Sequence, residues 1–156
     1  MAAVNPKVKH VPAEGGLELI QVKCAGSNTW KKGEFGHYES GLADPCETGE
    51  IPAFIYAETN ATSTTANDLH WVYMLVVGTQ IEIFCKTDSV DALETAFTIQ
   101  EDYDLYVASN IHYVDSNASA TDCFRILKKA SEYEEGMHAA ADSPGKVLVE
   151  VKVVQA

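Results

Sequence analysis

The side chains able to do chemistry are scattered along this chain. Five histidines (His10, His37, His70, His112, His138), four cysteines (Cys24, Cys46, Cys85, Cys123) and 23 carboxylates are spread over 156 residues. No two cysteines form a C-x-x-C pair, and no histidine stands at metal-ligand spacing from another ligand. There is no Walker loop, dinucleotide glycine fingerprint, nucleophile elbow or H-E-x-x-H. Gly33-Glu-Phe-Gly36 lacks both the lysine and the following helix of a phosphate loop. Paired carboxylates serve acid–base catalysis when their surroundings push their pKa values apart. Asp102 with Asp104, and Glu132 with Glu134 and Glu135, lie in polar surroundings with no flanking histidine, so both groups read as solvated surface. His70 and His112 follow strand patterns beside Trp71 and Tyr113, where an imidazole is a structural element. The expectation is a protein that is not an enzyme and takes no metal and no cofactor.

Bulk properties narrow the partners. A formal net charge of -12 and a pI near 4.7 speak against nucleic acid and anionic membrane, because phosphate binding needs clustered Lys and Arg. The chain has no apolar run of about 18 residues, which a spanning helix would require. Met1-Ala-Ala-Val-Asn-Pro-Lys7 has no apolar signal core, so synthesis in the cytoplasm without a signal peptide is expected. The cysteines are expected as reduced thiols, with those in apolar strands acting as small buried hydrophobes. Asn60-Ala-Thr62 and Asn117-Ala-Ser119 match the glycosylation pattern but read as exposed turns.

The elements that must position these residues are mostly strands. Residues 1–16 carry Pro6, Pro12, Gly15 and Gly16 without apolar periodicity, and read as an extended N-terminal arm dispensable for the fold. Residues 17–156 read as a single β-rich domain. Leu17–Cys24 alternates as a strand, and Ile51–Ala57 is another, with Pro52 placing it at an edge or at a strand start. Glu58–Asp68 is a polar loop. Leu69–Val77 and Ile81–Cys85, split by Gly78-Thr79, read as a hairpin. Ser89–Phe97 reads as a short helix with Ser89 as N-cap and Val90, Leu93 and Phe97 on one face. From Asp102 the chain returns on itself: Tyr103–Ala108, Ile111–Val114, Cys123–Leu127 and, after an excursion over Lys128–Gly145, Val147–Val154. Seven to nine short strands, one short helix and no β-α-β alternation predict a mainly β fold, a small antiparallel β-barrel or sandwich.

Trp30-Lys-Lys-Gly-Glu-Phe, the pair Tyr103-Asp-Leu-Tyr-Val and Ile111-His-Tyr-Val-Asp-Ser-Asn, and the closing Lys146-Val-Leu-Val-Glu-Val-Lys-Val together resemble the strand-and-turn outline of tailed-phage capsid decoration (cement) proteins. The chain departs from that outline in its longer middle section, residues 43–68, and in the segment after Ser89. The resemblance implies a tulip-like barrel that adheres to the outer surface of an icosahedral capsid and braces the shell. Its partners would be the major capsid protein and neighbouring copies of itself, as a dimer or trimer. Contacts would come from the arm (Asn5, Pro6, Val8, His10, Pro12), the polar loop (Asn60, Thr62, Thr64) and the late excursion (Tyr133, Met137). Other readings remain: a tail, neck or head-completion protein, or a carbohydrate- or ligand-binding β-sandwich stacking its ligand on Trp71, Tyr73, Tyr103 or Tyr106. A cupin-like enzyme would need a convergent histidine cluster that the spacing does not offer.

Overall fold

Two sheets account for twelve strands among the described residues of the structure, a computed structural model that describes residues 2–117, 121–134 and 137–155. One sheet closes on itself. It contains β1 (Lys7–His10), β7 (Gln80–Thr87), β8 (Val90–Asp91), β9 (Asp102–Ala108), β10 (Ile111–Asp115), β11 (Phe124–Lys129) and β12 (Lys146–Val151). Strands β7, β10, β9, β11 and β12 form a closed five-stranded barrel, because β12 pairs with both β11 and β7. All ladders in it are antiparallel except β10 on β7. The second sheet runs β2 (Leu19–Lys23), β6 (Leu69–Met74), β5 (Phe54–Tyr56), β3 (Phe35–Glu39) and β4 (Leu42–Pro45). It curls far enough for its outer strands to meet at a single bridge, Cys24 to Ala43.

The barrel fills as alternation demands. Ile81, Ile83 and Cys85 of β7, Leu105 of β9, Val114 of β10, Phe124 and Ile126 of β11, and Val147, Val149 and Val151 of β12 point inward and are inaccessible to solvent. Ser109 and Asn110, both at positive φ, make the two-residue turn that fixes the β9–β10 register. The second sheet has its own core of Val22, Cys24, Trp30, Phe54, Tyr56 and Val72, with Trp30 stacked on Tyr56 at 4.2 Å. Gly36 is required there: a methyl at this position would enter the Phe54 ring and stand 2.9 Å from Tyr56.

Strand β7 organises the first sheet. β1 and β12 both oppose Gln80–Glu82, so they occupy opposite edges. β10 takes over from β1 at Phe84–Lys86, and β8 takes over from β12 at Lys86–Thr87. The N-terminal segment, read from sequence as an extended arm, pairs through β1 with β7, where it covers the part of β7 that β10 leaves open.

Three expectations are corrected. Leu69–Val77 and Ile81–Cys85 are not a hairpin: β6 pairs with β2 and β5, and β7 lies in the other sheet. The chain changes sheets between them, with Gly78 at φ 93° and the Thr79 hydroxyl bonded to the Val76 carbonyl. Ser89–Phe97 is not an α-helix. Asp88 turns at positive φ, Val90–Asp91 joins the open edge of β7, and only a single 3-10 turn follows at Glu94–Ala96. The sheet edge offers those residues backbone partners that an isolated short helix would lack. The short α-helical turn, α1, is Ala130–Tyr133, inside the late excursion. Finally, twelve short strands are seen where seven to nine were expected. Pro52 precedes β5 at a strand start, and its carbonyl accepts the Gln155 N–H at 2.9 Å.

All four cysteines are free and buried. Burial holds each thiol in its neutral form, raising Cys24 to about 11 and Cys123 to about 12, with Cys46 and Cys85 pushed up as well. A group whose pKa is raised by folding contributes stability below its unfolded value, about 8.5 for a thiol, and loses that contribution as pH rises. The native protein is therefore expected to leave all four thiols unreacted with a disulfide reagent at pH 8 and to release four on denaturation. Its denaturant midpoint should fall as pH is raised from about 8.5.

Candidate functional site

The outer face of the second sheet is half covered. Register aligns Phe35, Ile55, Tyr73 and Leu19 as one row across β3, β5, β6 and β2. Phe35 and Ile55 pack into the barrel core at 0% and 5% exposure, whereas Tyr73 and Leu19, at 37% and 47%, overhang it. Trp71 and Leu69 share the face of Tyr73 at two-residue spacing and are also exposed. The result is an aliphatic and aromatic strip that neither sheet covers. Contiguous exposed apolar surface of this kind makes the strip a candidate interaction surface.

Beside the overhang the N-terminal segment forms the opposite wall of a groove of about 560 Å³, with Val4, Pro6 and Val8 facing Ile55, Tyr56 and Tyr73. A smaller hollow of about 200 Å³ continues it along Val8, Val11, Leu17 and Tyr73. The wall is held by Asn5, whose amide donates to the Asn110 carbonyl and accepts the His112 N–H, both at 3.0 Å. Gly33 lets the wall come close: at φ 91°, a side chain there would stand 3.1 Å from Asn5 Cβ and 3.2 Å from the Pro6 carbonyl.

The charge around this groove runs against that of the whole protein. Lys7, Lys9, Lys23, Lys31 and Lys32 fall within the first 33 residues, which contain only Glu14 and Glu18 as acids. Lys7 and Lys32 line the groove, and Lys31 and Lys32 border a shallow extension of it. Lys7, Lys31 and Lys32 make no ion pair among the described residues, and all three are exposed. A basic rim around an apolar floor suits a partner with apolar anchors flanked by acidic groups.

The contact residues expected from sequence separate into three places. Asn5, Pro6 and Val8 form the groove wall; His10 and Pro12 are exposed beyond it, with Pro12 beside Gly78. In the polar loop, Asn60 bonds to the carbonyls of Asn28 and Thr62, and Thr64 is buried with its hydroxyl on the Ala25 carbonyl. Thr62 alone of the three is exposed. Tyr133 donates to Glu82 at 3.2 Å, and Met137 projects into solvent at 78% exposure. The overhang is not among the expected capsid contacts, although the ligand-binding reading takes Trp71 and Tyr73 as stacking residues. Leu69–Met74 is apolar on both faces, so its own pattern does not say which side is wet. The partner strand does: Gln21 and Lys23 oppose Trp71 and Leu69.

Buried polar groups elsewhere do structural work. His112 Nδ1 accepts the Phe35 N–H at 3.2 Å, so its Nε2 carries the proton and donates to Glu34 Oε1 at 3.1 Å. Ser131 bonds through its hydroxyl to Glu94, and His138 lies 3.9 Å from the same carboxylate. That order places the acid between serine and imidazole, whereas an activated nucleophile needs the imidazole in the middle. Among the described residues, no helix is long and apolar enough to cross a membrane.

Comparison with known proteins finds no matching family model, no matching curated protein and no matching solved structure.

The Asn5 brace makes the groove wall sensitive to a single exposed-edge residue. Asn5→Ala should cost about 1–2 kcal/mol by leaving the His112 N–H and the Asn110 carbonyl without their partner. Hydrogen exchange at the His112 amide should accelerate, while amides of β11 and β12 stay protected.

Proposed function

We propose that this protein is a non-catalytic structural virion protein that docks on the outer surface of an icosahedral phage capsid and cements the shell. The observation that carries this reading is the half-covered row: Phe35 and Ile55 anchor the second sheet to the barrel, while Leu19 and Tyr73 hold the same face out for a partner. The basic rim from Lys7, Lys31 and Lys32 supports a shell surface with acidic flanks, here the major capsid protein. The resemblance in strand-and-turn outline, and the groove wall built by the N-terminal segment, support the same class. Aromatic anchors in the centre of such a face dominate binding, and rim charges steer it.

Trp71 and Tyr73 also favour a second reading. Exposed aromatic rings two residues apart on one sheet face are a stacking platform for sugar rings. One pair of variants separates the two. Trp71→Ala with Tyr73→Ala should change stability by only about 0.5 kcal/mol per site, since both rings are solvent-exposed. The same change should weaken sedimentation with undecorated capsids by tenfold or more. Lys31→Glu with Lys32→Glu should weaken it in a salt-dependent manner. Unaltered capsid binding by both double variants would remove this face from the reading. Oligosaccharide binding by the isolated protein, abolished in the aromatic variant, would put the glycan reading in its place.

A further inference from the structure

The β3–β4 hairpin and the loop after it bring together one imidazole and several carboxylates. Ser40 and Gly41, both at positive φ, form its two-residue turn and set His37 directly opposite Asp44, with Glu39 two residues along on the face of His37. The loop after β4 returns Glu50 to the same place. His37 is 6% exposed, yet its Nε2 makes no hydrogen bond. That nitrogen stands 3.2 Å from Glu50 Oε2, which is not aligned to accept a hydrogen bond from it, and 3.7 Å from Asp44 Oδ2, beyond hydrogen-bond distance. A buried nitrogen of this kind needs a partner, and the side chains of the described residues form no hydrogen bond to it.

The carboxylates are already oriented. Asp44 Oδ1 accepts the Asn28 amide at 2.7 Å, and Glu50 Oε1 accepts the Glu47 N–H at 2.5 Å. Each acid thus has one oxygen tied down and the other turned toward His37, as supporting hydrogen bonds orient metal-binding carboxylates. Donor atoms of His37, Glu39 and Asp44 also lie within 4.8 Å of one another. Two ligands on a tetrahedral zinc, each at about 2.0–2.1 Å, stand about 3.3 Å apart. The observed separations of 3.2 and 3.7 Å bracket that value.

We propose that His37, Glu39 and Asp44, whose ligand atoms cluster, together with Glu50 beside His37 Nε2, bind a divalent first-row transition cation, with Zn²⁺ the best match. The imidazole selects against Ca²⁺ and Mg²⁺, which take oxygen ligands. Asp44 and Glu50 keep side-chain exposures of 21% and 33%, so an ion enters from solvent without unfolding. The cation ties the hairpin to the loop before Glu50, and that loop is already bonded to β9 through Gly49 N–H to the Leu105 carbonyl and Thr48 to Val107. Binding therefore clamps the second sheet to the barrel.

The test is calorimetric titration of chelator-treated full-length protein with ZnCl₂ and, separately, CaCl₂, with thermal unfolding measured in parallel. One Zn²⁺ per chain and a raised Tm are expected, with at least tenfold preference over Ca²⁺. His37→Ala and Glu50→Gln should each weaken Zn²⁺ binding tenfold or more and abolish the Tm shift, while His70→Ala retains both. Glu50→Gln lies in a loop and keeps the test valid if His37→Ala does not fold. Zn²⁺ binding of unchanged stoichiometry and affinity in Glu50→Gln, or Ca²⁺ binding as tight as Zn²⁺, overturns the proposal.

Discussion

The hydrogen-bonded node at His112 sets how the two sheets meet. Its ring takes the Phe35 N–H on one nitrogen and gives the other to Glu34, whose second oxygen accepts the Lys31 N–H, and its backbone N–H goes to Asn5. Barrel, second sheet and N-terminal segment therefore converge on one imidazole with no exposure at all. A neutral imidazole with both nitrogens used, facing a carboxylate 2% exposed, is a closed arrangement in which each group satisfies the other. Fixing Phe35 at the barrel mouth fixes its row-mate Ile55 beside it. The uncovered half of the row then has only one place to go, out over the groove.

How much of this could be read from the chain follows from where the determining contacts lie. The closing strands were legible because Val147, Val149 and Val151 alternate with partly exposed Leu148 and Glu150, a period that survives whatever the strand pairs with. The β9–β10 turn was legible for the same local reason. The hub role of β7 was not: three of its four partner strands come from distant segments, and no pattern within Gln80–Thr87 names them. Proximity in sequence made β6 and β7 look like a hairpin, although the buried Thr79 marks a change of sheet. The segment after Ser89 has helical spacing, but an open strand edge nearby outweighs a propensity of a few tenths of a kcal/mol per residue. At the overhang, apolar residues on both faces of β6 erase the alternation that would have separated core from surface. The His37 cluster depends on cross-strand register and on a loop return, neither of which has a spacing signature.

The distribution of charge has a physical reason beyond partner choice. Leu19, Leu69, Trp71 and Tyr73 together would invite self-association on a neutral protein. A net charge of -12 keeps copies apart at long range, while the exposed lysines beside the strip leave that part of the surface locally positive. The same separation of signs leaves the polar cluster on the outer wall of the barrel, where Lys146 bridges Glu82 at 3.5 Å and Glu134 at 2.7 Å, to act locally. That pair holds Glu134 below the usual carboxylate range through the Lys146 hydrogen bond.

Four neighbours on one strand also dictate an order of events during synthesis. β7 can recruit β8 as soon as both have been made, but β10 and β12 follow it by tens of residues and β1 was made long before. Its central residues therefore spend much of translation with open edges, and the barrel ring cannot close until Val151 has emerged. Such non-local pairing makes for slow folding and a long exposure of sticky strand edges. Among the described residues β1 pairs with β7 at only three positions and with no other strand, so it is the natural last piece to seat. Because β1 also forms one wall of the groove, the groove would be completed only after the barrel beneath it has closed, which separates formation of this surface from collapse of the core.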